Sequence, residues 1–365
     1  MSLPLLTGAL PMAPSQSAPA LSDQEIAELK LEVRALAAER RAVILAHNYQ
    51  VPEVQDVADY VGDSLGLSRV AAGAEGEAIV FCGVHFMAET ASILCPEKTV
   101  LIPDLDAGCS LAASIDADQL AGWRESYPKG VVVMYVNTTA EVKALTDYCC
   151  TSANAVEVVR HIYETHGPDA EILFGPDMWL GAYVEKELGR RMHVWDGECH
   201  VHAGIRPADI EATRAAHPGA DFLIHPECGC STSIMEYVAS GDVDATGVHM
   251  LSTGGMLRYA HDAESSVQRA AAGEDGGGRG IAPAAVPPRR EAVVATEVGM
   301  LYPLQMAAPD VEFIPANAEA SCVYMKMITL PKLRDALREM QYEVRVPEDI
   351  ARRARVPIDR MVAIG

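Results

Sequence analysis

Ten short apolar segments alternate along the chain with segments of helical periodicity. They read AVILAH, AIVFCGV, TVLIPD, VVVMYVN, EILFGPD, MHVWDG, DFLIHPE, GVHMLST, AVVATEV and VEFIPA. Their apolar positions run continuously instead of alternating with polar ones, which is typical of parallel strands covered by helices on both faces of a sheet. The pattern predicts an α/β fold.

Two segments interrupt this pattern. Residues 1–21 are rich in Pro, Ser and Ala and are predicted to form a disordered tail. The first helix is predicted to begin at Ser22, where Glu25 is placed to complete a capping box. Residues 270–290 are rich in Gly and Pro, so we interpret them as a flexible surface loop inserted into the fold.

The chain contains an internal repeat. Three of the apolar segments end in a polar triplet: His47-Asn48-Tyr49, Tyr135-Val136-Asn137 and His225-Pro226-Glu227. The triplets begin 88 and 90 residues apart. Such nearly equal spacing indicates three copies of one structural unit.

A hydroxyl residue follows each triplet. The interval is 17 residues in the first two units, where it ends at Ser64 and Ser152. The third unit offers two candidates, the cluster at 231–233 and the pair Ser252 and Thr253, which begins 27 residues after its triplet. We favour the pair because it follows an apolar segment and precedes a Gly-Gly helix start.

Each unit also supplies one cysteine after a further strand: Cys109 in DAGCSL, Cys199 in DGECHVH and Cys322 in ASCVYM. The first two lie 62 and 64 residues after the start of their triplets. The third lies 97 residues after, and the loop at 270–290 accounts for much of the excess.

The repeat predicts three homologous parallel-sheet α/β modules at residues 22–125, 126–215 and 216–365, the last carrying the inserted loop. Ligands of open parallel sheets bind beyond the carboxyl ends of the strands, which is where the triplets, hydroxyls and cysteines lie. Three modules around a pseudo-threefold axis would bring these groups together at one central cavity, with the cysteines at its floor.

The spacing of the three cysteines favours a catalytic iron-sulfur centre. Zinc fingers use closely spaced ligand pairs, whereas these cysteines are 90 and 123 residues apart. Electron-transfer ferredoxins normally supply four cysteines. A [4Fe-4S] cluster with three protein ligands leaves one iron open, and an open metal position is what Lewis-acid catalysis requires.

The other cysteines have simpler interpretations. Cys82 and Cys95 are interpreted as small buried hydrophobes. Cys149-Cys150 and the pair Cys228 and Cys230 leave an alternative ligand set open, and the second pair could also form a redox disulfide. His202, close to Cys199, is a candidate for hydrogen bonding beside the cluster.

Composition excludes some classes of function. The formal charge of -22 argues against a nucleic-acid partner, which would need clustered Lys and Arg. No apolar run reaches the roughly 20 residues of a membrane span, and the first 20 residues carry no Lys or Arg for a signal peptide. A cytoplasmic protein without a disulfide framework is predicted. Neither GxxxxGK[ST] nor a strand followed by GxGxxG is present, which argues against P-loop and dinucleotide sites.

Across residues 43–330 the chain resembles the quinolinate synthase family. The matching segments are ILAHNYQVPEVQDVADYVGDSLGLS, FMAETASIL, IPDLDAGCSLA, MYVNTTAEVKALTDYCCTSANA, ILFGPDMWL, IHPECGCSTS, STGGMLRYA, ATEVGMLYPL and CVYMKMITL. The spacing from AHNYQ to GDS and the three separated cysteines are each uncommon, and they occur in the family's order.

The resemblance implies condensation of iminoaspartate with dihydroxyacetone phosphate to quinolinate, with loss of phosphate and water, and an oxygen-sensitive [4Fe-4S] cluster held by Cys109, Cys199 and Cys322. It also implies a homodimer in many members. Transient contact with an aspartate-oxidising enzyme is expected from the pathway.

The substrate-site positions that carry over are His47, Ser64, Tyr135, Val136, Asn137, Ser152, His225, Pro226, Glu227, Ser252 and Thr253. Hydroxyls, amides, histidines and helix N-termini can bind a dicarboxylate and a phosphate. Glu227 is assigned as general base, and His47, His225 and Tyr49 are further candidates for proton transfer. Segments containing His85, Glu89, Thr296 and Glu297 also match the family, with packing or capping as the simpler roles.

Two rival functions remain open from the sequence. Another [4Fe-4S]-dependent hydro-lyase acting on a small hydroxy acid would use the same open iron. A non-catalytic iron-sulfur sensor would need an output surface, and the sequence contains no basic DNA-reading helix.

Overall fold

The computed structural model describes residues 21–240, 247–272 and 290–365. In these residues twelve strands form three four-stranded sheets, and every strand pairing within them is parallel. The α/β class and the three parallel sheets predicted from the sequence are confirmed.

The three sheets share one strand order. The first sheet contains β1 (Ala42–His47), β2 (Tyr60–Gly62), β3 (Ala78–Cys82) and β4 (Thr99–Leu101). The second contains β5 (Val131–Tyr135), β6 (Tyr148–Cys150), β7 (Ile172–Gly175) and β8 (His193–Val194). The third contains β9 (Asp221–Ile224), β10 (Val248–Met250), β11 (Arg290–Ala295) and β12 (Val311–Pro315). In each sheet the second strand of the chain lies at one edge, followed by the first, third and fourth.

All ten apolar segments contain a strand, but none of them corresponds to β2 or β6. Both are three-residue strands at the edge of a sheet. Polar residues flank each strand directly, Asp59 and Asp63 around β2 and Asp147 and Thr151 around β6, so neither segment extends into an apolar run that stands out in the sequence.

Fifteen α-helices accompany the sheets in the described residues. They are α1 (Asp23–Glu39), α2 (Pro52–Gln55), α3 (Ser64–Gly73), α4 (His85–Leu94), α5 (Ala117–Ser126), α6 (Ala140–Lys143), α7 (Ala155–His166), α8 (Met178–Leu188), α9 (His200–Ala203), α10 (Pro207–Ala216), α11 (Ser231–Ser240), α12 (Thr253–Ala272), α13 (Leu301–Ala307), α14 (Leu330–Glu339) and α15 (Glu348–Ala363). Short 3-10 turns occupy Ala112–Ser114, Val298–Met300 and Met325–Met327.

The first helix begins as predicted. Ser22 is the N-cap of α1, its hydroxyl accepts the backbone N–H of Glu25, and the Glu25 carboxylate accepts the backbone N–H of Ser22. This capping box satisfies two of the N–H groups that a helix start leaves without partners.

The two soft segments lie largely outside the described residues. Most of the predicted tail, residues 1–20, is among the undescribed residues, and so is 273–289 of the predicted loop. Residues 270–272 continue α12, and Arg290 already begins β11.

The long interval in the third unit has a structural cause. The helix between the first two strands of a sheet has four residues in α2 and in α6, but ten in α11. Despite this, Ser64, Ser152 and Ser252 each lie two residues beyond the second strand of their sheet. The preference for Ser252 over the 231–233 cluster as the equivalent position agrees with this topology.

The three units share a hydrophobic core. One cluster of buried side chains includes Leu45, Val133 and Val294, from the central strands of the three sheets. Burial of these apolar side chains is the main force that holds the units together.

The last two helices pack on the first two units. Helix α14 packs against α1 and β3, and α15 packs against α4, α6 and β6. The amide of Asn154 donates to the carbonyls of Met361 and Ile364 at 3.0 and 2.7 Å. The predicted third module, residues 216–365, therefore includes two helices that pack on the first two units. The pseudo-threefold axis and the module boundaries stay predictions.

None of the described helices has the length and apolar character needed to cross a membrane.

Candidate active site

One cavity receives residues from all three sheets. Its volume is about 700 Å³, counting the part that is open to solvent. The predicted site residues on its wall are His47, Tyr49, Ser64, Cys109, Tyr135, Asn137, Ser152, Cys199, His225, Glu227, Thr253 and Cys322. These residues lie at or beyond the carboxyl ends of parallel strands, where such sheets bind ligands.

Three predicted substrate residues are not on the cavity wall. Val136 is buried and donates its backbone N–H to the carbonyl of Cys150 at 2.8 Å. The Ser252 hydroxyl accepts the N–H of Gly255 at 3.2 Å, so it caps α12 while its neighbour Thr253 reaches the cavity. Pro226 is buried between two lining residues.

The three predicted cluster cysteines open onto the same cavity. Cys109, Cys199 and Cys322 are only partly buried, in contrast to the other six cysteines. Burial, followed by the neighbouring thiol of Cys199, raises the pKa of Cys109. Burial also raises the pKa of Cys322 to about 11. The Ala112 N–H donates to the sulfur of Cys109 at 3.5 Å, a contact that favours the thiolate.

The cysteines of the alternative ligand set lie in the protein core. Cys149 and Cys150 are buried in β6, and Cys228 and Cys230 are fully buried in the core of the third sheet. All four are free thiols and are absent from the cavity wall. The Cys228 thiol donates to the carbonyl of Ala295 at 3.0 Å.

Glu227 is the centre of the polar network in the cavity. It is 2% exposed, and Tyr135 donates its hydroxyl to Glu227 Oε1. Burial alone would raise the pKa of Glu227, but the adjacent His225 and His202, with the Tyr135 hydrogen bond, lower it to about 2. Glu227 is therefore a carboxylate at neutral pH.

The two histidines predicted to transfer protons, His47 and His225, are neutral at neutral pH. Burial, followed by Lys326, lowers the pKa of His47 to about 3, and His47 Nδ1 accepts the Tyr49 N–H at 3.2 Å. Burial lowers the pKa of His225 to about 4, and its Nε2 lies 3.1 Å from the Ser152 hydroxyl. Burial also raises the pKa values of Tyr49 and Tyr135, so both stay phenols and can donate.

Tyr49 and His202 join the units across the cavity. Tyr49 Oη lies 2.6 Å from Thr296 Oγ1 and 3.2 Å from His202 Nε2. His202 Nε2 is also 2.9 Å from Thr296 Oγ1. The sequence suggests a hydrogen-bonding role for His202 beside the cluster, and the structure places this side chain between Cys199, Glu227 and Tyr49.

Two buried acidic side chains that the sequence did not single out for this role hold the cysteine loops. Asp177 Oδ2 accepts the N–H of Cys199 at 3.3 Å, and Glu297 Oε1 accepts the N–H of Cys322 at 2.9 Å. Both lie two residues beyond the third strand of their sheet, and the equivalent position in the first sheet is Val84. A search of the sequence for acidic residues two positions beyond the third strand of each unit would have found Asp177 and Glu297.

Other matched residues serve the packing of the first two units. Glu89 accepts the N–H of Ala140 at 3.0 Å, and His85 lies 3.6 Å from Glu89. Neither residue lines the cavity. Asp63, which the sequence did not single out, lines the cavity and caps α3 through the N–H of Gly66 at 2.7 Å.

Comparison with known proteins agrees with the site. A family model described as quinolinate synthetase A protein matches residues 31–363. A protein named quinolinate synthase from a strain of Thermus thermophilus is 54% identical over 337 residues, covering 92% of this chain and 97% of its own. A protein of the same name from Mycobacterium tuberculosis is 53% identical over 335 residues, covering 92% and 88%. Another from a Mycobacterium species is 52% identical over 339 residues, covering 93% and 92%. The chain therefore belongs to the quinolinate synthetase A family.

Proposed function

We propose that this chain is a quinolinate synthase that condenses iminoaspartate with dihydroxyacetone phosphate, releasing phosphate and water. The observation that carries the proposal is the cavity itself, where each sheet contributes a hydroxyl residue, a cysteine and members of its polar triplet. Membership of the family supports the same reaction.

The donor set fits a [4Fe-4S] cluster held by Cys109, Cys199 and Cys322. The three thiols line one cavity, yet among the described residues they do not form a group within the 4.8 Å that would let them share a single ion. Wider separation suits a multi-iron cluster whose irons are bound by different cysteines. When bound, such a cluster with one iron lacking a protein ligand supplies a Lewis acid for dehydration.

The cavity wall supplies neutral donors for two anionic substrates. Ser64 and Thr253 are the first residues of α3 and α12, so two helix N-termini meet the cavity, where their N–H groups favour anions. Asn137 Oδ1 is buried without a partner and can accept a hydrogen bond from substrate. None of the described wall residues is Lys or Arg, so hydroxyl, amide and backbone groups do the binding.

Proton transfer is assigned to the network around Glu227. Glu227 is an ionised acceptor held in place by Tyr135, and His225 is a neutral imidazole beside Ser152. Both groups are unprotonated at neutral pH, as a proton acceptor must be, and the phenols of Tyr49 and Tyr135 can donate hydrogen bonds to developing negative charge. We assign Glu227 as general base, with His47, His225 and Tyr49 as further proton-transfer residues.

The remaining expectations are part of the same proposal. We expect a cytoplasmic enzyme, a homodimer, and transient delivery of iminoaspartate by an aspartate-oxidising enzyme. Gel filtration of the anaerobic protein tests the dimer directly.

The test is anaerobic purification with iron and sulfide analysis, followed by a quinolinate assay. Wild type is compared with Cys322→Ala and with Cys95→Ala, whose buried thiol lies away from the cavity. We expect about four irons per chain and quinolinate formation in wild type and Cys95→Ala. Loss of both is expected in Cys322→Ala.

Two outcomes would overturn the proposal. Quinolinate synthesis by Cys322→Ala would show that the cluster is not needed. A wild-type protein that carries the cluster but forms no quinolinate would favour a hydro-lyase or a sensor instead.

A further inference from the structure

Three different metal-binding side chains converge within the cavity. The ligand atoms of Cys199, His202 and Glu227 all lie within 4.8 Å of one another. Cys199 is the N-cap of α9, His202 lies within that helix and Glu227 follows β9, so the group joins the second and third sheets. His202 and Glu227 are 3% and 2% exposed, which removes bulk water as a competing partner.

Each of the three residues is held from behind by a different contact. Tyr135 donates to Glu227 Oε1, which leaves Oε2 directed toward His202. The hydroxyls of Tyr49 and Thr296 contact His202 Nε2, which leaves Nδ1 for another partner. This is the pattern of metal sites, where contacts behind each ligand fix its orientation.

The Cys199 sulfur is placed in the same way. Asp177 Oδ2 accepts the Cys199 backbone N–H at 3.3 Å, which fixes the start of α9. All three residues are therefore positioned before any ion arrives.

A polar atom at the centre of the group has no hydrogen-bond partner. His202 Nδ1 is buried and unpartnered, and it lies 3.4 Å from Glu227 Oε2. An imidazole nitrogen and a carboxylate oxygen are both ordinary ligands of a divalent transition-metal ion, and this separation would let one ion coordinate both atoms.

We propose that the chain without its iron-sulfur cluster binds one divalent transition-metal ion, of the Zn²⁺ or Fe²⁺ class, through Cys199, His202 and Glu227. One sulfur, one nitrogen and one oxygen suit these ions, and three protein ligands leave a fourth tetrahedral position open. Ligand atoms in such a tetrahedron are about 3.3 to 3.8 Å apart. The His202 to Glu227 separation of 3.4 Å already meets this requirement.

The single-ion site and the proposed cluster exclude each other. They share Cys199, so a chain holds either one ion or the cluster; this exclusion rests on the proposed function, whereas the ion site itself does not. The two sites differ in the other ligands, because the cluster needs Cys109 and Cys322, and the single ion needs His202 and Glu227.

The experiment is metal titration of reduced, chelator-treated, cluster-free protein under anaerobic conditions. Zn²⁺ binding is measured by calorimetry, and Co²⁺ is used as a spectroscopic probe of thiolate ligation. The variants are Glu227→Gln, His202→Asn and Cys199→Ala, and the matched controls are Cys109→Ala and Cys322→Ala.

We expect one Zn²⁺ per chain in wild type and in both control variants. Affinity should fall at least about tenfold in Glu227→Gln and His202→Asn. The cobalt-thiolate absorption should disappear only in Cys199→Ala. Circular dichroism identifies any variant that has failed to fold, and the two independent variants at 227 and 202 keep the test decisive.

Two results would overturn the inference. Equal loss of Zn²⁺ from Cys109→Ala and Cys322→Ala would show that the three thiols hold the ion. Absence of Zn²⁺ binding by the wild-type apo chain would show that a proton fills the gap between His202 and Glu227. Neither result affects the iron and sulfide analysis, so failure here is distinguishable from failure of the proposed function.

Discussion

Lys326 joins the loop of the third cysteine to the first unit, and its replacement by methionine tests that link. Its Nζ lies 2.9 Å from Glu297 Oε1 and also donates to the Tyr49 carbonyl. The Glu297 side chain is fully buried, whereas that of Lys326 is 26% exposed. Glu297 in turn holds the N–H of Cys322. The pair thus couples a cysteine loop to a residue of the substrate site.

The expected loss of stability follows from this geometry. Two unit charges 2.9 Å apart attract by about 6 kcal/mol at an effective dielectric constant of about 20, and desolvation offsets much of this. Removing one member of a fully buried pair costs about 3 to 5 kcal/mol. Because water reaches part of Lys326, we expect Lys326→Met to lower the free energy of unfolding by about 2 kcal/mol.

The assay is urea unfolding of cluster-free protein, with the double variant Lys326→Met/Glu297→Gln completing a mutant cycle. The combined loss should be smaller than the sum of the single losses by about 1 kcal/mol or more, because neither charge is then left alone. Lys332→Met is the matched control, since the Lys332 to Asp104 pair is more exposed and should contribute less than about 1 kcal/mol. Additive single losses, or equal effects at 326 and 332, would refute the reasoning.

Three further predictions concern stability. Asn154→Ala should cost about 2 kcal/mol in urea unfolding because two carbonyls at the end of α15 lose their donor, and a loss under about 0.5 kcal/mol would contradict this. His47 has a folded pKa of about 3 against an ordinary value near 6.5, so the unfolded chain takes up this proton first and stability falls as pH drops below about 6.5. His47→Gln should remove up to about 1.4 kcal/mol per pH unit from the slope of unfolding free energy between about pH 6.5 and 5, and an unchanged slope would show that His47 is not neutral in the folded state. Ser22→Ala should cost about 1 kcal/mol through loss of the capping box, with quinolinate synthesis unchanged, and reduced synthesis would contradict a purely structural role.

Much of the architecture could be predicted because the repeat is visible in the sequence. Short apolar strands, polar triplets and cysteines recur at similar intervals, and parallel-sheet topology places the triplets and cysteines near the carboxyl ends of the strands. The edge strands β2 and β6 could not be predicted, since polar residues directly before and after each strand confine the apolar signal to at most three positions. The packing of α14 and α15 on the first two units depends on contacts between residues far apart in the chain, for which a local pattern carries no signal.

The candidate site was predictable where it follows the repeat and less so where contacts cross between sheets. Ser64, Ser152 and the three cysteines occupy corresponding places and line the cavity. The contact of Thr296 with Tyr49 and His202 depends on the arrangement of units in space. The chain alone offers no spacing rule for such a contact.

The hydrogen bonds that hold the residues after α15 have a practical consequence for handling the protein. Arg69 donates to the carbonyl of Gly365 at 2.8 Å, and Asn154 holds the carbonyl of the residue before it. These contacts tie the segment that follows α15 to the first two units, although Gly365 itself is exposed. An affinity tag or surface-coupling handle fused directly after Gly365 would begin beside these contacts and compete with their hydrogen bonds. A flexible spacer between Gly365 and the handle would let immobilised protein keep both hydrogen bonds.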